Sequence, residues 1–485
     1  MITFWGAVIS LIAGYLVYGR IVATLFGVDN AKPTPVTLFQ DGVDYVPMGG
    51  GRTFLVQFLN IAGIGPIFGA IAGARWGPVA YLWIVLGTIF AGGVHDFFSG
   101  MMSVRNQGWS ISEVVGRYLG PYARLLMILF SAILLILIGI VFVRGPADLL
   151  YHLTGIGTMP LVMIIFGYYL LATLLPIDKL IGRIYPLFGL ALLLMTLGLI
   201  TGIMVEGYQM PELTLANFHP KGMPVFPFLF ITIACGAISG FHATQSPLMA
   251  RCIKEERQGR GIFYGAMVAE GIVALVWAAV SMSFFGSTSV LAGAGSAAVV
   301  VNKVSVGLLG TIGGTLAILG VVVCPITSGD TAFRSLRLII ADAIHLPQKK
   351  IASRFLITIP TFILAIVVSC LDFNVIWRYA AWSNQTLATI VLWTGSAFLI
   401  KEGRSHWLTT LPAVFMSAVT MAYILQAPEG FQCPGVISNL FGVLFAGALL
   451  IFFLFWARNQ KKYPVDAPGS ADGDKRLTGQ EKESR

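Results

Sequence analysis

The sequence predicts an all-α protein that crosses a membrane many times. Hydrophobic residues make up 56% of the 485-residue chain and charged residues only 11%, whereas soluble domains carry roughly 25% charged residues. Apolar blocks of about 20 residues, long enough to cross a bilayer as a helix, recur along the chain. These observations exclude a water-soluble globular protein and indicate a polytopic helical membrane protein.

Thirteen apolar stretches are long enough to be membrane-spanning helices. The first, "MITFWGAVISLIAGYLVYGR", lacks a basic leader and a small-residue cleavage site, so we expect a retained helix rather than a signal peptide. The stretches lie at about 2–25, 54–75, 78–104, 123–143, 159–175, 184–205, 226–249, 262–285, 306–333, 353–371, 384–400, 407–425 and 436–457.

The basic residues of the connecting segments predict the orientation. Cytoplasmic loops of membrane proteins carry an excess of Lys and Arg. When alternate connecting segments along the chain are grouped into two sets, one set holds 26 of the 31 basic residues and the opposite set holds 5. This alternation supports thirteen spans, with the N-terminus outside and the C-terminus in the cytoplasm.

The spans group into five regions. We predict an N-terminal helix and loop (1–53), a first five-helix repeat (54–205), a second repeat (226–400), two further helices (407–457) and a disordered polar tail (458–485). No region is large enough for a soluble catalytic domain, and no GxxxxGK[ST] motif indicates ATP use. The net charge of +9 lies in short loops and does not indicate nucleic acid.

Cofactor and metal chemistry is not indicated either. The five cysteines include no CxxC pair, so a zinc site or disulfide framework is not expected.

The lead helix of each repeat is predicted to be discontinuous. "LVQFLNIAGIGPIFGAIAGARWGP" and "FPFLFITIACGAISGFHATQSPLMA" both carry Gly, Pro and polar residues inside an apolar stretch. Each begins a run of five spans, and an odd number of spans makes the two runs face opposite ways. Interrupted helices at corresponding positions of inverted repeats indicate a transporter binding site, because unwound backbone is tolerated in a membrane only where it lines a cavity or is buried in protein.

We therefore expect the two breaks to bind the substrate. The alternative for Gly65, Gly69, Gly73 and Gly77 is close helix packing, since they recur every four residues. The predicted substrate-binding residues are Asn60, Gly63, Gly65, Pro66, Ser239, Gly240, His242, Thr244 and Gln245.

Four ionisable residues inside the spans are predicted to carry a coupling proton. His95 and Asp96 lie in the third span, His242 lies in the second break itself, which we expect to span residues 236–247, and Glu270 lies between apolar residues of the eighth span. Such residues are costly in a membrane and are functional candidates by default. The alternatives are an interhelical hydrogen bond for His95 and Asp96 and a buried structural carboxyl for Glu270.

A weaker pattern suggests a Na⁺ site. Thr327, Ser328 and Asp330 offer oxygen ligands, which carbonyl groups of an unwound helix could complete. Asp330 could instead form a salt bridge with Arg334, one helical turn away.

Five motifs follow one another along the chain: "DGVDYVP" (41–47), "NIAGIGPIFG" (60–69), "AGGVHDFFSGMMSVRNQGWSISEVV" (91–115), "ACGAISGFHATQSP" (234–247) and "GDTAFRS" (329–335). In this order they resemble the carbon starvation protein A family. The resemblance implies an inner-membrane transporter for peptides or pyruvate, with a leucine-transporter-like core of two inverted five-helix repeats and proton coupling in the pyruvate branch.

The chain departs from the family pattern in three ways. No Lys follows Pro247, Val56 and Gln57 stand where relatives often place two histidines, and the chain is shorter than the long members. We expect a secondary active transporter for a peptide or a short carboxylate such as pyruvate, coupled to H⁺ or to Na⁺. The rival functions are a channel and an intramembrane hydrolase using Ser239 and His242.

Overall fold

The computed structural model describes residues 1–42, 44–173, 177–344, 346–348 and 350–462, and the side chains of 177–187 and 461–462 are not described. Within these residues the protein is all-helical, with no strand. Nine described helices are long and apolar enough to cross a membrane, and a bent helix pair makes a tenth. The prediction of a polytopic helical membrane protein is confirmed; the count of thirteen crossings, the inverted repeat and the five regions stay predictions.

The described residues of the first half of the chain form nine helices. The predicted first break lies between the third and the fourth, which are bent by 50° relative to each other. The helices are α1 (Ile2–Phe26), α2 (Pro35–Phe39), α3 (Gly50–Ile61), α4 (Gly65–Trp76), α5 (Val79–Arg105), α6 (Ile111–Leu119), α7 (Pro121–Thr154), α8 (Thr158–Ala172) and α9 (Ile177–Val205).

Nine helices are also described in the second half. The predicted second break lies between the first two of them, over residues 233–239. The helices are α10 (Phe228–Thr232), α11 (Gly240–Ala250), α12 (Arg260–Phe285), α13 (Thr288–Gly293), α14 (Ala297–Ala343), α15 (Ile351–Ser369), α16 (Phe373–Lys401), α17 (Trp407–Gln426) and α18 (Gly435–Lys462).

Some helix bounds differ from the predicted spans. The 47-residue α14 extends beyond 306–333 at both ends, and it consists of two helical segments that meet at a kink at Gly310, whose φ of 68° and ψ of −179° are not helical. Hydropathy does not report such a kink, since the flanking residues stay apolar. The last helix continues into the predicted tail as far as Lys462, and the rest of that tail lies outside the described residues.

Helix packing brings the two interrupted helices to the centre. The long helices α7 and α14 pack along each other, α5 packs on α11, and α4 packs on α12. The residues of α4, of the second break and of α11 are almost all buried. The bundle therefore surrounds both breaks with protein rather than lipid, as irregular backbone in a membrane requires.

Candidate functional site

The first break spans residues 62–64. Gly63 within it and Gly65 directly after it have no room for a Cβ atom. A Cβ on Gly63 would lie 2.7 Å from the ring of Phe142, and a Cβ on Gly65 would lie 2.4 Å from the Cβ of Cys235. Pro66 lies in the first turn of α4, where its missing N–H costs no helical hydrogen bond. The sequence thus breaks the helix and restarts it within four residues.

The second break is set by Gly236 and Ser239. Gly236 has φ of +92°, a region that favours glycine, and Ser239 has extended backbone just before α11. The expectation that His242 lies in the break itself is wrong: it lies in the first turn of α11, and this helix continues through Pro247 to Ala250. Pro247 does not end it, because neighbouring helices can satisfy the backbone that a membrane proline leaves open.

The two breaks touch each other. A Cβ on Gly236 would lie 3.6 Å from Cβ of Pro66, and a Cβ on Gly69 would lie 3.1 Å from the carbonyl oxygen of Thr232. Together with the contact between Gly65 and Cys235, this places residues from both breaks against each other. Small residues are therefore needed here for close backbone approach as well as for the unwound turns.

Side chains from other helices satisfy the carbonyl groups around the second break. Such bonds matter because an unpaired buried carbonyl costs free energy. Trp83 Nε1 donates to Ile233 O at 3.0 Å, Thr88 Oγ1 donates to Gly236 O at 2.9 Å, and Gln385 Nε2 donates to Phe230 O at 3.1 Å.

Asn384 of α16 caps the start of α11. Its Oδ1 accepts from the backbone N–H of Phe241 at 2.6 Å, and its amide and the hydroxyl of Ser239 lie 3.0–3.2 Å apart. Ser239 occupies the N-cap position but makes no cap hydrogen bond with its own side chain. A residue 143 positions further along the chain therefore supplies the cap.

The predicted proton-carrying residues form one connected group, which we call the buried relay: His95, Asp96, His242 and Glu270. The carboxyl group of Asp96 contacts the Nδ1 atoms of both histidines. Its Oδ1 lies 2.7 Å from His95 Nδ1, and its Oδ2 lies 2.8 Å from His242 Nδ1. On the other side of its ring, His242 Nε2 lies 3.3 Å from Glu270 Oε2. All four side chains are 0% exposed.

The relay joins three helices at the second break. His95 and Asp96 come from α5, His242 from α11 and Glu270 from α12. Cys235 lies within the break. Its sulfur, a ring nitrogen of His242 and a carboxylate oxygen of Glu270 all lie within 4.8 Å of one another. The arrangement suits proton transfer, since a histidine lies between two carboxyl groups and can exchange a proton through either ring nitrogen.

The other predicted polar residues of α11, Thr244 and Gln245, and the neighbouring Ser246 also make hydrogen bonds. Ser246 Oγ donates to His242 O at 2.9 Å, and Thr244 Oγ1 donates to Phe241 O at 2.7 Å. Gln245 Nε2 donates to Thr244 Oγ1 at 2.8 Å, while within the described part of the chain its Oε1 has no hydrogen-bond partner.

Two buried amides lie on α3, just before the first break. Asn60, a predicted substrate residue, is 0% exposed, as is Gln57 one turn earlier. Among the described residues, neither amide has a hydrogen-bond partner for its oxygen or its nitrogen. Buried polar groups are almost always hydrogen-bonded, so these amides are available to a solute or to water.

The space between the breaks is small. A cavity lined by Gly65, Phe142, Cys235, Trp377 and Asn384, among others, offers about 20 Å³ to the centres of water-sized molecules. That is room for one or two water molecules, and the centre of this conformation is therefore closed.

Two of the predicted Na⁺ ligands, Thr327 and Ser328, hydrogen-bond the same carbonyl oxygen, that of Cys324. Ser328 Oγ donates to Leu59 O of α3 at 2.9 Å, which places it beside the first break, and Thr327 Oγ1 donates to Cys324 O at 2.7 Å. Asp330 Oδ2 instead lies 3.7 Å from Arg334, so that predicted salt bridge is confirmed.

Sequence reasoning missed the partners supplied by distant helices, namely Trp83, Thr88, Asn384 and Gln385. Their only sequence signal is a polar or indole group inside an apolar span, and the partner that each contacts depends on helix packing.

The hydrolase alternative finds no support in the geometry, because Ser239 faces Asn384 while the ring of His242 faces Asp96 and Glu270.

Comparison with known proteins identifies relatives over most of the chain. The model of the family described as carbon starvation protein CstA matches residues 1–152, 146–305 and 278–423. An uncharacterized membrane protein of Haemophilus influenzae is 43% identical over 351 residues, covering 61% of this chain and 95% of that relative. Peptide transporter CstA of Campylobacter jejuni is 25% identical, covering 90% of this chain and 82% of that relative.

A further relative aligns over a smaller share of its length. Pyruvate/proton symporter BtsT of Escherichia coli is 27% identical over 340 residues, which cover 56% of this chain and 48% of that relative.

Solved transporter structures share the fold. A manganese transporter of Eremococcus coleocola superposes with a TM-score of 0.55 at 14% identity, over 87% of this chain and 99% of the other. MhsT in complex with L-phenylalanine superposes with a TM-score of 0.55 at 14% identity, over 83% of this chain and 97% of the other. At these identities the likeness shows the fold alone, which is of the leucine-transporter type.

Proposed function

The chain belongs to the carbon starvation protein CstA family, and from that premise we propose that it is a proton-coupled secondary active transporter of a small organic nutrient. It is a multi-pass membrane transporter, and its relatives and structural neighbours are transporters rather than enzymes. The observation that carries the proposal is the buried relay, in which His242 at the second break lies between Asp96 and Glu270.

The relay gives the coupling proton a defined position. With Asp96 ionised, the Nδ1–H groups of both histidines donate to it, and a proton on His242 Nε2 faces Glu270. Water reaching either side of the break would load or remove that proton. His242 lies in the first turn of α11, directly after the unwound segment. The protonation state of His242 and the arrangement of the break therefore change together.

The nutrient is a peptide or a short carboxylate such as pyruvate. Relatives carry the names peptide transporter and pyruvate/proton symporter. The amides of Gln57 and Asn60 offer donors and acceptors to such a solute, and the N-termini of α4 and α11 favour a carboxylate through their backbone N–H groups. No Lys follows Pro247, so these backbone groups carry the recognition of negative charge.

Transport proceeds by alternating access in the inner membrane, with the N-terminus outside and the C-terminus in the cytoplasm. The present conformation is closed, with about 20 Å³ between the breaks, so helices must separate to admit the solute. Rocking of one group of helices against the rest around a fixed central site is the usual solution in transporters of this architecture.

Na⁺ coupling is the second candidate, favoured by one contact. Ser328 Oγ lies 2.9 Å from the carbonyl oxygen of Leu59, so hydroxyl and carbonyl oxygens meet beside the first break. Oxygen ligands suit hard cations. A Na⁺ gradient that drives accumulation at constant pH would favour this candidate over the relay.

The deciding experiment uses purified protein in proteoliposomes. Counterflow with a panel of peptides and keto acids identifies the solute, and uptake is then driven by a pH gradient with and without Na⁺. We expect accumulation against the solute gradient that needs the pH gradient and is abolished by an uncoupler. Equilibration without accumulation would indicate a channel and refute the proposal.

A further inference from the structure

Three side chains with metal-ligand atoms converge at the second break. Cys235 lies in the break, His242 in the first turn of α11 and Glu270 in α12. All three are buried, and one ligand atom from each lies within 4.8 Å of the other two. A thiol, an imidazole and a carboxyl group are the ligand types of zinc sites in proteins.

The distances suit tetrahedral coordination. His242 Nε2 lies 3.3 Å from Glu270 Oε2, and two ligands on a tetrahedral zinc ion with bonds of about 2.0 Å are about 3.3 Å apart. The sulfur of Cys235 lies within 4.8 Å of the other ligand atoms, so a shift of about 1 Å brings it to its usual zinc distance of about 2.3 Å. The three atoms can therefore share one ion without a change of fold.

The ligand atoms of His242 and Glu270 are not occupied by hydrogen bonds of normal geometry. This holds for Nε2 and for both carboxyl oxygens within the described residues. Their near neighbours are the thiol of Cys235, beside His242, and the backbone N–H of Gly236, beside Glu270. Buried polar atoms are almost always hydrogen-bonded, so three such atoms facing one another indicate a place for a ligand.

The surrounding side chains are those that support a bound metal. A metal-binding histidine usually donates its other ring N–H to a carboxylate, and His242 Nδ1 lies 2.8 Å from Asp96 Oδ2. On the sulfur side, Ser239 Oγ lies 3.4 Å and Asn384 Nδ2 3.9 Å from Cys235 Sγ. Both groups can donate a hydrogen bond to a thiolate.

We propose that Cys235, His242 and Glu270 bind one Zn²⁺ ion, with a water molecule as the fourth ligand, and that this ion blocks transport. The thiolate and the carboxylate balance the charge of the ion, and thiolate and imidazole ligands favour Zn²⁺ over Mg²⁺. The cavity of about 20 Å³ beside Cys235 has room for the water molecule. The ion reaches the site when the helices separate, as the solute does.

Zinc and the coupling proton exclude each other at this site. Coordination needs deprotonated ligands, so binding releases the thiol proton and the proton between His242 and Glu270. Zinc binding itself does not depend on the proposed proton coupling, whereas the block rests on the proposed transport. The sequence did not indicate the site, because its ligands come from three separate elements and include no CxxC pair.

Zinc binding is measured on the purified full-length protein in detergent, without an affinity tag. Competition with a chromogenic zinc chelator should give one tightly bound Zn²⁺ per chain. The midpoint of thermal unfolding should rise saturably with Zn²⁺ and not with Mg²⁺. Absence of bound zinc, or equal shifts with both ions, would overturn the proposal.

Serine substitutions connect the binding to the site. Cys235→Ser removes the sulfur ligand at almost constant size and should weaken zinc binding by more than about 100-fold, beyond the effect of losing an outer-shell partner. Cys252→Ser is the matched control, because Cys252 is also a buried thiol but bonds the carbonyl oxygen of Leu248. Equal zinc affinity in the two variants would refute the site.

Spectroscopy of the wild type covers the case in which Cys235→Ser does not fold. X-ray absorption at the zinc edge should show one sulfur ligand at about 2.3 Å and nitrogen or oxygen ligands at about 2.0 Å. A shell that contains only nitrogen and oxygen would contradict the proposal.

The block is tested by solute counterflow in proteoliposomes, which needs no net proton movement. Zn²⁺ should inhibit the wild type and Cys252→Ser, a chelator should restore both, and Cys235→Ser should keep the rate that it shows without zinc. Zinc bound at the site without inhibition would refute the block and leave the proposed proton coupling untouched. Loss of proton coupling in the wild type would leave the zinc site standing.

Discussion

Replacing Asp96 by Asn should separate proton coupling from solute binding. Both oxygens of Asp96 are occupied, one by His95 at 2.7 Å and the other by His242 at 2.8 Å. Asn keeps one acceptor oxygen, but its NH₂ group faces the second imidazole N–H, so one hydrogen bond is lost. The remaining hydrogen bond then joins a neutral acceptor, the amide oxygen, to an imidazolium group. The shape of the side chain is almost unchanged.

The size of the effect follows from these two bonds. A hydrogen bond to a charged group contributes about 1.5–3 kcal/mol and a neutral one about 1 kcal/mol. Losing one charged bond and weakening the other destabilises the protonated relay by about 2–5 kcal/mol, which is roughly a 30- to 5,000-fold lower population of that form. We expect uptake driven by a pH gradient to fall by at least about 30-fold.

The assay compares two kinds of transport in the same proteoliposomes. Solute counterflow needs no net proton movement, so it should persist in Asp96→Asn while accumulation driven by the pH gradient is lost. Asp148→Asn is the matched control, because Asp148 lies on α7 and accepts a hydrogen bond from Thr158 outside the relay. Accumulation by Asp96→Asn at the wild-type level would refute the reasoning.

Four further substitutions test individual contacts. His242→Ala should abolish accumulation without loss of expression, whereas His219→Ala, in the loop before α10, should leave uptake unchanged; unimpaired uptake by His242→Ala would remove this residue from the mechanism. Glu270→Gln should flatten the pH dependence of initial uptake rates, and an unchanged pH profile would make Glu270 structural. Asn384→Ala leaves the Phe241 N–H unpaired and should lower the free energy of unfolding by about 1–3 kcal/mol, measured by chemical denaturation in detergent; unchanged stability would contradict its capping role. Ser328→Ala should leave proton-driven uptake within about twofold of wild type, since it removes one neutral hydrogen bond, and complete loss would favour the Na⁺ candidate.

The positions of the breaks and the relay could be predicted because their sequence signals are local. Glycine, proline and polar residues inside an apolar span mark an unwound turn wherever the helix packs. His95, Asp96 and Glu270 stand out because an ionisable side chain in a membrane needs a partner. Which partner each one finds was not predictable, since the contact between Asp96 and His242 joins residues 146 positions apart.

The support around the breaks could not be predicted from the sequence. Thr88 and Asn384 are ordinary polar residues in helices, and their bonds to Gly236 and Phe241 depend on packing between distant spans. The exact start of α11 was also missed, because Pro247 suggested a longer interruption. In the structure the change of backbone conformation at Gly236 and Ser239 ends the interruption earlier.

The most direct test of proton coupling through His242 is the proton movement that accompanies the nutrient. Proteoliposomes that contain a pH-sensitive dye, with the membrane potential clamped, are given an inward gradient of the solute identified by counterflow. The relay predicts acidification of the lumen with wild-type protein and none with His242→Ala. Solute entry without acidification, or equal acidification with both proteins, would contradict it.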